Sequence, residues 1–217
     1  MAPFWPVVLK HDNLVLRPLR YRDKRAWIKI RDNNQNWFGE WEATIPNEFN
    51  EGKASFYQVV GNLRNEARTQ RALPFVMTVD GQIAGQITVA NINYGSTRSA
   101  YIGYWIGEEF AGKGYTPLAV AMAIDHCFQV LKLHRIEIAI RPENTKSLRV
   151  VEKLGLRQEG TRPKFLHING DWRDHLIFAI NDDELSESLV SKLKKTQKFE
   201  LTYRHTTEVR KNNYRIF

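Results

Sequence analysis

A glycine-rich stretch between a predicted strand and a predicted helix constrains the fold of this chain most strongly. Residues 99–106 alternate like a strand, with aromatic side chains at alternate positions, and residues 107–115 contain three glycines. Thr116 is a capping residue, Pro117 suits the first helical position, and apolar residues recur beyond them at helical spacing. Glycines admit a ligand close to the backbone, and a helix N-terminus attracts anions. The stretch therefore predicts an anion site, with phosphate as the expected ligand.

Phosphate loops of two other classes resemble this stretch only in part. Residues 107–113 match the first seven positions of an NTPase P-loop, but Gly114 stands where Ser or Thr must bind magnesium. A dinucleotide-binding fingerprint fails because Pro117 replaces its last Gly or Ala. A glycine turn that binds no ligand remains the structural alternative.

The flanking patterns predict an α/β fold, a mixed sheet with helices packed on its faces. Asp80-Gly81 separates two β-rich runs and is typical of a tight hairpin turn, so those runs should pair antiparallel. The strands at 99–106 and 134–140 are separated by a helix and should pair parallel. Further strands are predicted at 13–17, 74–79, 82–90, 157–162 and 175–180, helices at 23–31, at 54–67 and from Asn144 to the Gly155 cap, and an aromatic loop at 33–50.

Length and composition indicate one globular domain. At 217 residues and 42% apolar content, the chain can form a sizeable core. It contains no apolar run long enough to span a membrane and no secretion signal, so a cytoplasmic protein is expected. The one cysteine, Cys127, falls on the apolar face of a predicted helix and is expected to be a buried small hydrophobe. Common metal-binding motifs do not occur, and we predict no metal site.

Positive charge is concentrated near the C-terminus. The net charge is +8, and residues 192–217 contain eight basic and two acidic residues, so they hold six of these charges. Aromatic side chains interleave with the basic ones, which fits contact with ribosomal RNA, a solvated tail, or an added edge strand or dimer contact. We divide the chain into a domain at residues 1–182 and a C-terminal helix with a basic tail at 183–217.

Several motifs, in order, resemble the GNAT acetyltransferase superfamily. Tyr-Trp-Ile-Gly at 104–107 precedes Gly-Lys-Gly-Tyr at 112–115, and residues 141–160 read Arg-Pro-Glu-Asn-Thr-Lys-Ser-Leu-Arg-Val-Val-Glu-Lys-Leu-Gly-Leu-Arg-Gln-Glu-Gly. Leu-Val-Leu-Arg-Pro-Leu at 14–19 and Ile-Asn-Gly-Asp-Trp-Arg-Asp-His at 168–175 are similar to RimJ-type ribosomal-protein-alanine N-acetyltransferases. The resemblance spans residues 10–182 and implies the GNAT fold, a single domain with a twisted, mostly antiparallel mixed sheet flanked by helices.

The resemblance also implies a site for acetyl-CoA. Backbone amides of the loop at 111–116 would bind the pyrophosphate, and the strand end would pair with the pantetheine arm. Ser147 would lie near the sulfur leaving group as a candidate general acid. The residues implied to bind the cosubstrate are Trp105, Ile106, Gly107, Ala111, Gly112, Lys113, Gly114, Tyr115, Thr116 and Asn144.

Two loop positions depart from the family's pattern. Ala111 replaces a Gln or Arg, and Thr116 replaces a final Gly or Ala, whereas the central Gly114 is retained. Because amides do the binding, we expect these changes to alter affinity rather than to abolish the site.

The predicted aromatic loop supplies candidates for the acceptor side. Glu42 in the Trp41-Glu42 step, which resembles a Trp-Glu step of RimJ-type proteins, is the candidate base, with Glu40 as its substitute. A surface carboxylate that merely attracts the amine is the alternative. Trp37 and Trp41 are expected to line the acceptor site or to pack under the loop. An α-amino group, with a reference pKa of about 7.7 to 8.0 against about 10.4 for lysine, requires only a modest base.

These observations predict an N-acetyltransferase that acts on the N-terminal amine of a protein, such as the N-terminal alanine of a ribosomal protein, by direct attack on the thioester of acetyl-CoA. Two alternatives stay open. The acceptor could instead be a small amine, such as a polyamine, an amino acid or an antibiotic, or the chain could be a non-catalytic ribosome- or RNA-binding module. We expect no membrane partner and either a monomer or a homodimer.

Overall fold

A computed structural model of the chain describes residues 4–46 and 54–195, which form one mixed sheet with helices on both faces. The eight strands are β1 (Leu9–His11), β2 (Leu14–Arg17), β3 (Leu73–Val79), β4 (Gln82–Asn93), β5 (Ser99–Ile106), β6 (Arg135–Ile140), β7 (Arg157–Ile168) and β8 (Asp171–Asn181). The helices are α1 (Lys24–Asn33), α2 (Gln35–Gly39), α3 (Phe56–Arg68), α4 (Tyr115–Gln129) and α5 (Thr145–Leu154), followed by a helical segment at 189–195.

The sheet order is β1-β2-β3-β4-β5-β6-β8-β7, and neighbouring strands pair antiparallel except β5 with β6, which pair parallel. The predicted hairpin at Asp80-Gly81 is confirmed, since both residues have positive φ angles of 49° and 79°. The predicted parallel pair is also confirmed, because α4 carries the chain from β5 back to the start of β6. The expected mixed, mostly antiparallel sheet is therefore correct.

Strand alternation divides the core between the two faces of the sheet. Phe75 and Met77 belong to the larger cluster, beneath α4 and α5, whereas Val76 lies between them on the opposite face, with α1 and α3. Most of α4 is buried, including Cys127 at 0% exposure, which is typical of a helix that is apolar all round. Each fully buried Leu or Phe contributes about 1.5 to 3 kcal/mol. The site described below lies at the edge of this packed core.

Three predicted elements differ from the structure. The loop at 33–50 contains the short helix α2, which has too few turns to show a helical period; its residues 47–50 lie outside the described part. The last two strands are longer than predicted and form a hairpin whose turn, Asn169-Gly170, has positive φ angles at both residues. Helix α4 begins at Tyr115 behind a left-handed Gly114, rather than at a Thr116 cap.

The C-terminal part of the described chain packs on the same core. Leu189 and Leu193 are buried, and the carboxylate of Asp125 accepts hydrogen bonds from the N–H groups of Leu189 and Val190 at 2.8 and 3.1 Å. A carboxylate at a helix start satisfies donors that the helix leaves open. In the described ranges, every helix is too short or too polar to cross a bilayer. Most of the predicted basic tail, at 196–217, lies outside them.

Candidate active site

The sheet opens between β5 and β6. These two parallel strands pair only over Ser99–Tyr101 and Arg135–Glu137, and β5 continues from there to Ile106 with β4 as its partner. A cavity of about 810 Å³ lies along this part of β5, within the range of ligand sites. Its walls are β5, the start of α4, one face of α5 and the short helix α2.

The cavity brings together most of the predicted site residues. Those on its wall are Trp37, Trp41, Glu42, Trp105, Ile106, Ala111, Gly112, Gly114, Tyr115, Thr116, Asn144 and Ser147. Gly107, Lys113 and Glu40 are not among the lining residues. Gly107 packs against Ile30 of α1, Lys113 donates to the Glu109 carbonyl at 2.7 Å, and the Glu40 carbonyl accepts from Arg141 at 2.8 Å.

One end of the cavity is the glycine loop, residues 107–115. Gly112 and Gly114 have φ angles of 75° and 83°. Residues with a Cβ atom rarely adopt this left-handed backbone conformation. Gly114 is the N-cap of α4, and no side chain caps this helix start. The first N–H groups of a 15-residue helix are therefore open to a ligand, and the helix dipole favours an anion there.

Helix α5 forms the second wall. The side-chain oxygen of Asn144 accepts a hydrogen bond from the Ser147 N–H at 3.1 Å, as the predicted N-cap. The Asn144 amide NH₂ is left to donate elsewhere. Three cations follow on the same face of the helix, at Lys146, Arg149 and Lys153, with a spacing that keeps them on one stripe. Arg149 and Lys153 are exposed, and within the described ranges no carboxylate pairs with either.

Tyr104 connects the two walls, and the sequence pattern gave no role to it. From β5, its hydroxyl donates to the backbone carbonyl of Ser147 at 3.4 Å. Burial raises the pKa of Tyr104 to about 12, so the phenol stays protonated at neutral pH. Its position three residues before the glycine loop is the only sequence signal that could have marked it.

Strand geometry directs one amide of the β5 end into the gap. The Gly107 N–H donates to the Ala84 carbonyl of β4 at 2.8 Å, so the preceding residue, Ile106, turns its N–H and C=O away from β4. Its carbonyl accepts from the indole Nε1 of Trp37 at 2.9 Å. The amide of Ile106 therefore faces the gap, whereas that of Trp105 faces β4.

The other end of the cavity, here called the aromatic end, is formed by Trp37, Phe38, Trp41 and Trp105. Phe38 and Trp105 meet edge to face with centroids 5.0 Å apart, so α2 is fixed against β5. Glu42 lines this end and forms an ion pair with Arg31. Its carboxylate is therefore already neutralised by a cation.

Cys127 and a surface group of one histidine and two aspartates are not among the residues that line this cavity. Cys127 is fully buried, and burial raises the pKa of its thiol to about 12. His134, Asp182 and Asp183 bring three possible ligand atoms within 4.8 Å of one another, but all three residues are exposed. His134 Nδ1 lies 2.7 Å from Asp182 Oδ1, which gives this group an ordinary surface hydrogen bond.

Comparison with known proteins places this geometry in a family. A model described as "Acetyltransferase (GNAT) domain" matches residues 13–157. Mycobacterium smegmatis RimJ in complex with CoA-disulfide is 39% identical, with a TM-score of 0.82, over 91% of this chain and 98% of that chain. Two Escherichia coli relatives are the ribosomal protein uS5-alanine N-acetyltransferase, 28% identical over 80% of this chain and 90% of its own, and spermidine N(1)-acetyltransferase, 29% identical over 76% and 84%. The chain belongs to the GNAT acetyltransferase family and is an acetyl-CoA-dependent N-acetyltransferase.

Proposed function

We propose that this protein transfers the acetyl group of acetyl-CoA to the free N-terminal amine of a protein, with a ribosomal protein that begins with alanine as the acceptor. The observation that carries the proposal is a single cavity that joins an anion-binding loop, Ser147 and an aromatic end. The relatives named above act on a ribosomal protein and on spermidine, so the acceptor is argued from the residues of this chain.

The phosphates of CoA would occupy the glycine-loop end. Open N–H groups at the start of α4 suit the pyrophosphate, which carries its charge next to the positive end of the helix dipole. Arg149 and Lys153 lie on the facing helix without carboxylate partners, and they would bind the 3′-phosphate. This assigns the cosubstrate two cations that the resemblance did not include.

The thioester would lie where β5 and β6 diverge. The Ile106 N–H faces this gap and can donate to the carbonyl oxygen as negative charge develops on it. The amide NH₂ of Asn144 remains free to donate to the pantetheine arm. Both groups are on rigid elements, which is what stabilisation of a transition state requires.

In the proposed reaction, the neutral amine attacks the thioester carbon, and the amide C–N bond forms as the C–S bond breaks. Ser147 donates its hydroxyl proton to the leaving thiolate, the amine loses a proton to water or to Glu42, and that proton returns to Ser147 through water. Tyr104 holds the backbone of Ser147 through its hydroxyl and thereby positions the serine side chain. The products are the acetylated amine and CoA with a free thiol.

An α-amine fits the acceptor side better than a polyamine does. Glu42 is already paired with Arg31, and an α-amine needs little help from a base because about a tenth of it is neutral at pH 7. Spermidine carries several cations, whereas the cavity is lined by four basic side chains (Arg31, Lys146, Arg149 and Lys153) against two carboxylates, Glu42 and Glu108, and Glu42 is already paired with Arg31. A small-amine acceptor is therefore the weaker of the two candidates.

The partner predictions extend this proposal. Contact of residues 192–217 with ribosomal RNA, the choice between monomer and homodimer, and the division at residue 182 stay predictions. A cytoplasmic location fits a ribosomal acceptor, and this location also stays a prediction.

The proposal is tested by measuring kcat/KM for three acceptors with acetyl-CoA: a peptide with a free N-terminal alanine and no lysine, an N-terminally blocked peptide with one lysine, and spermidine. We expect the first to exceed the others by more than tenfold, and Ser147→Ala to reduce its kcat while acetyl-CoA affinity stays within about twofold. A preference for spermidine or lysine would refute the acceptor assignment.

A further inference from the structure

Three cations stack on the rings of the aromatic end. The guanidinium carbon of Arg31 lies 5.2 Å from the Phe38 ring centre, and that of Arg141 lies 5.1 Å from the Trp41 ring centre. The Lys146 ammonium lies only 3.6 Å from the Trp37 ring centre. Stacking on a ring fixes the position of each cation without neutralising its charge.

Carboxylates compensate two of these three cations. Arg31 is paired with Glu42, and Arg141 is paired with Glu143 at 3.2 Å. Within the described residues no carboxylate is paired with Lys146, whose ammonium contacts the Trp37 ring instead. Lys146 and Ser147 both line the cavity, so the charge of Lys146 belongs to the same site as the proposed reaction centre.

The bound cosubstrate does not compensate this charge either. In the proposed function the CoA phosphates lie at the glycine loop and at Arg149 and Lys153. There each phosphate already has its own partners, the open N–H groups of α4 for the pyrophosphate and Arg149 with Lys153 for the 3′-phosphate. Lys146 is not among the groups that pair with the cosubstrate.

Most of an incoming α-amine is protonated at neutral pH, so the positive charge of Lys146 repels it. A carboxylate on the acceptor, close to the amine, would pair with Lys146 and offset the repulsion. An extended peptide spans about 3.3 Å per residue, so the side chains at the second and third positions lie within about 10 Å of the N-terminal amine and can reach the cavity wall that includes Lys146.

We propose that the aromatic end selects acceptors that have an acidic residue at the second or third position, and that Lys146 is the residue that recognises it. This inference rests on the proposed function and names the substrate class within it. Polycationic amines are the acceptors that such a site binds least well.

The test compares three peptides that begin with alanine and differ only at the second and third residues, which are both glutamate, both glutamine or both lysine. With saturating acetyl-CoA, we expect kcat/KM to fall in that order by about two- to fivefold per unit of charge, the range for exposed ion pairs. Lys146→Glu should invert the order, and Lys10→Glu, the same charge change on an exposed residue of β1, should preserve it. The differences should shrink in high salt.

Equal kcat/KM values for the three peptides, or an order that Lys146→Glu leaves unchanged, would overturn the inference and leave the proposed function in place. Acetylation of none of the peptides, with acetyl-CoA still bound, would instead refute the proposed function and the inference with it.

Discussion

Removal of two cations on α5 gives a direct test of where the cosubstrate lies. Arg149→Gln combined with Lys153→Gln leaves the helix and its apolar face intact, because both side chains are exposed. A single exposed charge pair contributes up to about 1 kcal/mol, so loss of both contacts with a phosphate should cost about 2 kcal/mol. This corresponds to a Kd for acetyl-CoA that is about 30-fold higher.

Isothermal titration with two ligands makes the assay specific for the 3′-phosphate. Wild-type protein should bind 3′-dephospho-acetyl-CoA about 30-fold more weakly than acetyl-CoA, and the double variant should bind both ligands with the same weak affinity. A control variant, Lys10→Gln with Lys132→Gln, removes the same charge from exposed positions outside the cavity and should bind like wild type. Equal losses for both ligands in the double variant would refute the assignment, as would no loss for either.

Three further predictions concern the fold around the site. Gly85→Ala should lower the free energy of unfolding in urea by about 1 to 3 kcal/mol, because a Cβ there would overlap the Trp105 carbonyl oxygen of the neighbouring strand; an unchanged value would contradict this close packing. Cys127 should react with an exposed-thiol reagent only in denaturant, since burial raises its pKa to about 12; rapid labelling of the native protein would contradict it. For Asp23, burial raises the pKa, but hydrogen bonds from Arg17 and the backbone outweigh it and lower the pKa. Its stabilisation is therefore present above the ordinary value of 3.8 and lost as the pH falls below it. The difference in the free energy of unfolding between wild type and Asp23→Asn, about 2 kcal/mol at neutral pH, should shrink there, and a difference that is independent of pH would contradict it.

Local signals in the sequence identified the parts of the fold that depend on a few neighbouring residues. The Asp80-Gly81 turn, the Asn144 cap and the left-handed Gly155 are each set by the conformational preference of one or two residues, and all three occur in the structure. The glycine loop was located for the same reason. Its helix start differs by one residue because Gly114 adopts a left-handed conformation at the N-cap position, so a Thr116 cap is not used.

Contacts between distant segments could not be derived from such signals. The bond from Trp37 to the Ile106 carbonyl joins residues 69 positions apart, and it explains both the presence of α2 and why this carbonyl is occupied. The ion pair of Glu42 with Arg31 likewise depends on how α1 and the segment after α2 meet. A sequence pattern indicates a carboxylate but does not show that a cation already neutralises it.

The divergence of β5 and β6 is also a property of the whole sheet. A parallel pair was predicted from the intervening helix, but the register between the strands stops after Tyr101 and leaves the gap that forms the cavity. Helical spacing alone predicts that one face of α5 presents a basic stripe, formed by Lys146, Arg149 and Lys153. The spacing alone does not show that this face of α5 borders the cavity. It also does not show that, among the described residues, no carboxylate pairs with Arg149 or Lys153.

The most direct test of the account uses one peptide that has both a free N-terminal alanine and an internal lysine, incubated with the protein and acetyl-CoA. Fragmentation in a mass spectrometer locates the acetyl group. We predict a single acetyl group on the α-amine, lost when Gly114→Trp blocks the glycine loop. Acetylation of the lysine side chain, or of neither amine under conditions in which acetyl-CoA binds, would contradict the account.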